Sequence, residues 1–190
     1  AAYATVGQSD ADKDTLLGRR AMAAAFFLDG EFDDAALYYE SIEEIAKESE
    51  EQFDLNYGLT LAAIGKDDKA LELLSKQQNS QYFTIIHRHW LARLYIRAKK
   101  AKLAFELYEK AEKNNPRTMI LLRIIAHECF GVGEYQLAAD AAKILMKEDP
   151  QSPLIQEYKT IYRAATAGAT LKLRGKKVQP PKMAYEEGNG

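Results

Sequence analysis

Three histidines and a single cysteine are the side chains best suited to ligating a metal or attacking a substrate in this 190-residue sequence: His87, His89, His127 and Cys129. His87 and His89 stand two apart in a stretch with helical spacing, so they point to different sides and cannot jointly hold a metal. No cysteine or histidine falls at zinc-like spacing. Cys129 occupies an apolar helix position with no base placed beside it, which favours a buried structural thiol over a nucleophile. Gly131-Val132-Gly133 follows a helical stretch, where a phosphate-cradling loop would follow a strand, so it reads as a turn between helices. Gly65-Lys66 fails as a phosphate loop for the same reason. Glu43, Glu44, Glu48, Glu50 and Glu51 gather around one connection, either as a solvated face or as an acidic docking strip. The basic run Lys172, Arg174, Lys176, Lys177 and Lys182 is either a soluble linker or a contact for an acidic partner. Aromatic residues do not interleave with those lysines as a base-stacking platform requires, and nucleic acid is disfavoured. No catalytic constellation emerges. The expectation is a non-enzymatic chain with no cofactor, no metal and no small-molecule substrate.

Composition points the same way. Hydrophobic residues make up 47 % and charged residues 28 %, enough apolar mass for a continuous core. The net charge of −2 supplies no general attraction to nucleic acid or an anionic membrane. One cysteine excludes an internal disulfide, which suits a reducing compartment. No apolar run approaches the roughly 20 residues needed to span a bilayer, so no transmembrane segment is expected. The sequence opens Ala-Ala-Tyr without an initiator methionine, and the expectation is a piece of a longer protein.

What positions these side chains is a repeat. Four segments align on a turn followed by a small residue: GEFDDAALYYESI from Gly30, GKDDKALELLSKQ from Gly65, KKAKLAFELYEKA from Lys99 and GEYQLAADAAKIL from Gly133. The turn positions are 35, 34 and 34 residues apart, and the small residue five further on is Ala35, Ala70, Ala104 and Ala138. Upstream of each turn stand Met22-Ala23-Phe26, Tyr57-Gly58-Leu61, Leu91-Ala92-Tyr95 and Ile125-Ala126-Cys129. Small residues on both helices let them cross closely, and the bulky neighbours fill the gaps beside them. Glycine permits the tight connection, and Pro116 and Pro150 mark two repeat ends. The pattern resembles the tetratricopeptide repeat, a helix-turn-helix unit of about 34 residues.

The predicted fold is therefore all-α, a right-handed tetratricopeptide-repeat superhelix (an α-solenoid) of four helix pairs plus a C-terminal capping helix. The pairs are predicted over 16–29 with 32–47, 51–64 with 67–78, 82–98 with 101–113, and 117–131 with 134–147. A ninth helix over about 153–168 caps the exposed end. Residues 1–15 are expected to be a flexible lead-in, 16–168 the solenoid, and 169–190 a basic tail that is disordered or ordered by a partner.

In such a superhelix the first helices line the concave face. The repeat register places Arg20, Ala24 and Phe27 there, then Leu55, Leu59 and Ala62. Ile86, His89, Arg93 and Ile96 follow, and then Ile120, Arg123, His127 and Phe130. Apolar anchors mixed with three arginines and two histidines suit an amphipathic helix or an acidic-apolar peptide. The candidate partner-binding residues are thus Arg20, Phe27, Leu55, Leu59, His89, Arg93, Ile96, Arg123, His127 and Phe130. Co-chaperone repeat domains grip a carboxylate with Lys, Asn, Asn, Lys and Arg. The corresponding positions here read Arg20, Ala24, Asn56, Ile86 and Trp90, so that clamp is absent.

Some stretches specify residues that the repeat leaves free. They are QFDLNYGLTLAAIGK (52–66), HWLARLYIRAKKAKLAFELYEK (89–110) and LLRIIAHECFGVGEYQLAADAAKILMKEDP (121–150), joined by GEFDDAALYYESI (30–42). Over about residues 16–168 the sequence resembles the C-terminal half of the intraflagellar transport protein fifty-six family, repeat-built subunits of transport complex B in cilia. The resemblance departs after about Gly168. It implies a non-catalytic subunit that binds a neighbouring complex-B protein and helps deliver cargo, including motility components, into the flagellum. It also implies a workplace in the cilium or flagellum and in the cytoplasm around the basal body. The competing readings are a generic repeat adaptor or membrane-coat subunit similar to coatomer epsilon, an RNA-binding helical repeat, and an enzyme.

Overall fold

The computed structural model describes residues 15–43, 51–111 and 116–173. Within them all regular structure is helical, in nine helices. These are α1 (Leu16–Asp29), α2 (Phe32–Glu43), α3 (Glu51–Ala63), α4 (Asp67–Lys76), α5 (Ile85–Arg97), α6 (Ala101–Glu109), α7 (Pro116–Gly131), α8 (Tyr135–Glu148) and α9 (Ile155–Leu173). The chain divides into two compact units, residues 1–94 and 95–190. In the first, α1 packs on α2, α2 on α3 and α3 on α4. In the second, α6 packs on α7, α7 on α8, and α9 lies against both α8 and α7. This is the pairing expected of tetratricopeptide repeats.

The four turns are built alike. Each uses a left-handed residue: Gly30 (φ 80°), Gly65 (φ 77°), Lys99 (φ 61°) and Gly133 (φ 80°). The amide of that residue donates three residues back, to Phe27, Ala62, Ile96 and Phe130. The next amide donates five back, from Glu31 to Phe26, Lys66 to Leu61, Lys100 to Tyr95 and Glu134 to Cys129. Together the two bonds satisfy carbonyls that the ending helix leaves open. The 34-residue period in the sequence is therefore a period of left-handed helix stops.

The small residues do what the register requires. Ala35, Ala70, Ala104 and Ala138 are completely buried, as are Ala23, Ala92 and Ala126. Gly58 holds the corresponding place in α3. A Cβ added there would lie 2.9 Å from Leu74 Cγ and Cδ2, so α3 and α4 cross too closely for a methyl group. Gly168 plays the same part in α9, where an added Cβ would meet the Tyr135 ring at 2.9 Å.

Helix ends differ in detail from expectation. Thr15 caps α1 by accepting from the Gly18 amide at 3.0 Å. Pro116 opens α7 rather than closing the preceding helix, at a position where its missing N–H costs nothing. α9 runs to Leu173, past the expected end at 168, and takes Lys172 out of the basic tail into a helix. The lead-in over 1–14, the last turn predicted for the second helix (44–47), most of the acidic cluster and the tail from Arg174 onward lie outside the described residues.

Candidate protein-interaction face

Most chemistry-bearing side chains turn out to be fastened into the helix packing. Cys129 is fully buried, and burial, aided by Glu134 and Glu128, pushes its thiol up to about 12, so it stays protonated and unreactive. His87 closes a cap. Thr84 N–H donates to its Nδ1 at 2.9 Å, the job that Glu performs in an ordinary capping box at the start of a helix. Its ring stacks on Phe83 at 5.6 Å, and burial lowers its pKa. Nδ1 must remain an acceptor, so this histidine is neutral in the folded chain. Among the described residues no three His, Cys, Asp or Glu side chains come together as metal ligands. No helix among them is long and apolar enough to cross a membrane.

Two further polar groups, passed over in the sequence, tie helices together. Asp54 is buried in α3 and accepts from Gln77 Nε2 at 2.6 Å, with Lys76 Nζ at 3.5 Å. Glu157 of α9 reaches back to α7. Its Oε1 lies 3.1 Å from Arg123 Nε and 2.8 Å from His127 Nε2. His127 has its pKa lowered by burial first, against the opposing pull of Glu157. Neither acid carries a periodic signature. The one available hint was a glutamate in the first turn of the last helix, three residues beyond the apolar Leu154.

The candidate face therefore divides. Leu55 (1 % exposed), Leu59 (8 %), Ile96 (0 %) and Phe130 (6 %) are core residues and present nothing to a partner. For Leu55 and Leu59 the cause is that α3 is packed by both α2 and α4, leaving only Asn56 exposed between Asp54 and Ala62. Phe130 is held edge-on against Tyr135 at 5.2 Å. Phe27 is half-buried against Phe32 of α2 at 5.6 Å. Arg20, His89 and Arg93 are partly exposed in the first unit, with the Arg93 guanidinium 5.2 Å from the Trp90 ring centroid. Arg123 and His127 are partly exposed in the second but engaged by Glu157.

What the first helices do offer is apolar. Leu17 (79 % exposed), Ile86 (51 %) and Ile120 (47 %) each stand thirteen residues before their turn, at the same place in repeats one, three and four. Each is followed one helical turn later by a basic or titratable nitrogen side chain: Arg20, His89 and Arg123. An apolar anchor beside a cation fits one ridge of an amphipathic helix carrying acids at its edge. By contrast, α9 exposes threonines along its length, with Leu173 (89 % exposed) at its last turn. Thr160, Thr166 and Thr170 are exposed there, each donating to the carbonyl four residues back. An open cleft of about 300 Å³ between the start of α8 and the end of α9 is lined in part by Lys172, whose Nζ donates to the Gly133 carbonyl at 2.8 Å.

The family model described as intraflagellar transport protein 56 matches residues 1–184. The chain belongs to the intraflagellar transport protein 56 family. A curated relative, the intraflagellar transport protein 56 homolog of Caenorhabditis elegans, is 31 % identical over 179 residues. That alignment covers 94 % of this chain and 30 % of the relative, so the chain spans about a third of the relative's length. The family match also reaches past Gly168, where the sequence resemblance was expected to end. Membership in the intraflagellar transport protein 56 family and the all-helical repeat fold thus agree.

Proposed function

We propose that this chain is a non-catalytic protein-interaction scaffold, a subunit of intraflagellar transport complex B. In that role it binds a neighbouring complex-B subunit and supports delivery of cargo, motility components among it, into cilia and flagella. Its places of work are the cilium and the cytoplasm around the basal body. The observation that carries the reading is the family match over residues 1–184. Exposed apolar side chains on first helices, Leu17 and Ile86 in the first unit and Ile120 in the second, support it from the physical side, because each stands one helical turn before a nitrogen-bearing side chain, as contact with an amphipathic partner helix requires. The burial of Cys129 and the capping role of His87 leave these two groups no catalytic work.

The test is a pulldown in which the full-length protein is mixed with purified complex-B subunits. The expected result is recovery of at least one subunit in a stoichiometric complex. Recovery of none would sink the proposal, as would enrichment of membrane-coat proteins in its place.

A further inference from the structure

The third turn breaks two local rules at one corner. Where the other repeats place Gly30, Gly65 and Gly133 in the left-handed region, this one places Lys99, with φ 61° and a side chain that region disfavours. The helix that follows is also charged the wrong way. α2 begins with Asp33 and Asp34, α4 has Lys66 at its cap but Asp67 and Asp68 in its first turn, and α8 is preceded by Glu134 at its cap. α6 has Lys100 at its cap, Lys102 in its first turn and no acid there, so cations face the positive end of the helix dipole.

Among the described residues no side-chain contact of these lysines offsets the departures. Lys99, Lys100 and Lys102 are exposed, and among the described residues no carboxylate lies within ion-pair distance of their ammonium groups. Arg97, beside them, is drawn toward Glu128 at 3.8 Å. Strain and adverse charge kept together without internal gain mark a feature retained for an external contact. We propose that the Lys99–Lys102 corner is a docking surface for an acidic segment of a partner protein. Complementary charge names the occupant. The corner carries no aromatic ring on which a base could stack, and no exposed large apolar side chain to enter a bilayer. The proposal rests on the reading of the chain as a protein-binding subunit and adds where and to what chemistry it binds.

The test uses the full-length protein and three probes: an oligoglutamate peptide, phosphatidylcholine vesicles containing phosphatidylserine, and single-stranded RNA. The variant K99E/K100E/K102E is compared with K143E/K147E/R163E, which reverses three exposed charges elsewhere. Peptide affinity should fall about tenfold or more in the corner variant relative to the control. The neutral variant K99G/K100Q/K102Q should show the same loss if the reversed one folds poorly. Equal loss in the control overturns the proposal, and so does tighter binding of vesicles or RNA than of peptide. A corner-dependent peptide affinity in a protein that recovers no complex-B subunit would count against the proposed function and leave the corner standing. A protein that joins the complex but binds the peptide independently of the corner would do the reverse.

Discussion

The joint between α2 and α3 in the first unit is made of rings, whereas the joint between α7 and α9 in the second is made of charges. Tyr39 stacks on Tyr57 at 5.4 Å and meets Phe53 edge-on at 5.6 Å. Lys69 of α4 covers the Tyr57 ring at 5.0 Å and pairs with Glu43 at the end of α2. Desolvation pushes the Tyr39 hydroxyl up to about 12, a sign of how dry that joint is. Between α7 and α9 one carboxylate, Glu157, serves both Arg123 and His127. Left-handed turns and small crossing residues recur in both units, with Lys99 in place of glycine at one turn and Gly58 in place of alanine at one crossing. Repeat geometry is thus set by the alanines and left-handed stops, while the adhesive between neighbouring helices is free to vary.

The largest effect expected from this contrast is at Tyr57. Tyr57→Ala should cost about 3–5 kcal/mol, because it removes a large, almost fully buried ring from a packed stack. Glu157→Ala should cost less, about 1–3 kcal/mol, since the acid and its two partners keep some contact with water. Urea unfolding of the two variants checks the order, and an equal or larger loss at Glu157 would break the comparison. Of similar size, about 1–3 kcal/mol, is the overpacking expected from Ala104→Leu or Ala138→Leu at the shared crossing position. Unchanged melting temperatures for both would mean that the register is misplaced.

Two smaller effects sharpen it. Both His87 and His127 have pKa values lowered by burial, so the unfolded chain binds protons that the folded chain refuses. Their contribution is complete above about 6.5 and declines as pH falls from there toward the folded values. Stability measured from pH 8 to 5 should therefore drop at the acid end, and His87→Gln should flatten part of that drop. Lys99→Gly should raise stability by up to about 1 kcal/mol, by relieving a left-handed side chain. A loss on that substitution would mean that Lys99 makes a stabilising contact inside the chain.

The repeat, its turns and every crossing alanine were legible because they recur, and recurrence is visible without coordinates. The assignment of Lys99 to a glycine position was legible for the same reason. Half-hidden were the face residues. Leu55 and Ile86 are both apolar first-helix residues, yet neighbouring helices bury one and leave the other at the surface. Leu55 stands ten residues before its turn, where the other repeats have the partly exposed Arg20, His89 and Arg123, and no repeat spacing shows that α2 and α4 bury it. Least legible were Asp54 and Glu157, single acids whose partners lie 22 or more and 30 or more residues away and follow no period. Glu157 also changes how the face should be probed. Reversing Arg123 would break the α7–α9 joint as well as any partner contact, so it cannot isolate binding.

The exposed anchors provide the cleaner probe. In the full-length protein, Ile86→Glu combined with Ile120→Glu alters two first-helix residues that are about half exposed, and Thr166→Glu combined with Thr170→Glu alters two exposed threonines of α9. The decisive measurement is the affinity of each double variant for the complex-B subunit recovered with the wild type. The account predicts at least a tenfold loss for the isoleucine pair, and near-wild-type affinity for the threonine pair at unchanged helicity. Wild-type affinity in the isoleucine pair, or a loss confined to the threonine pair, would contradict it.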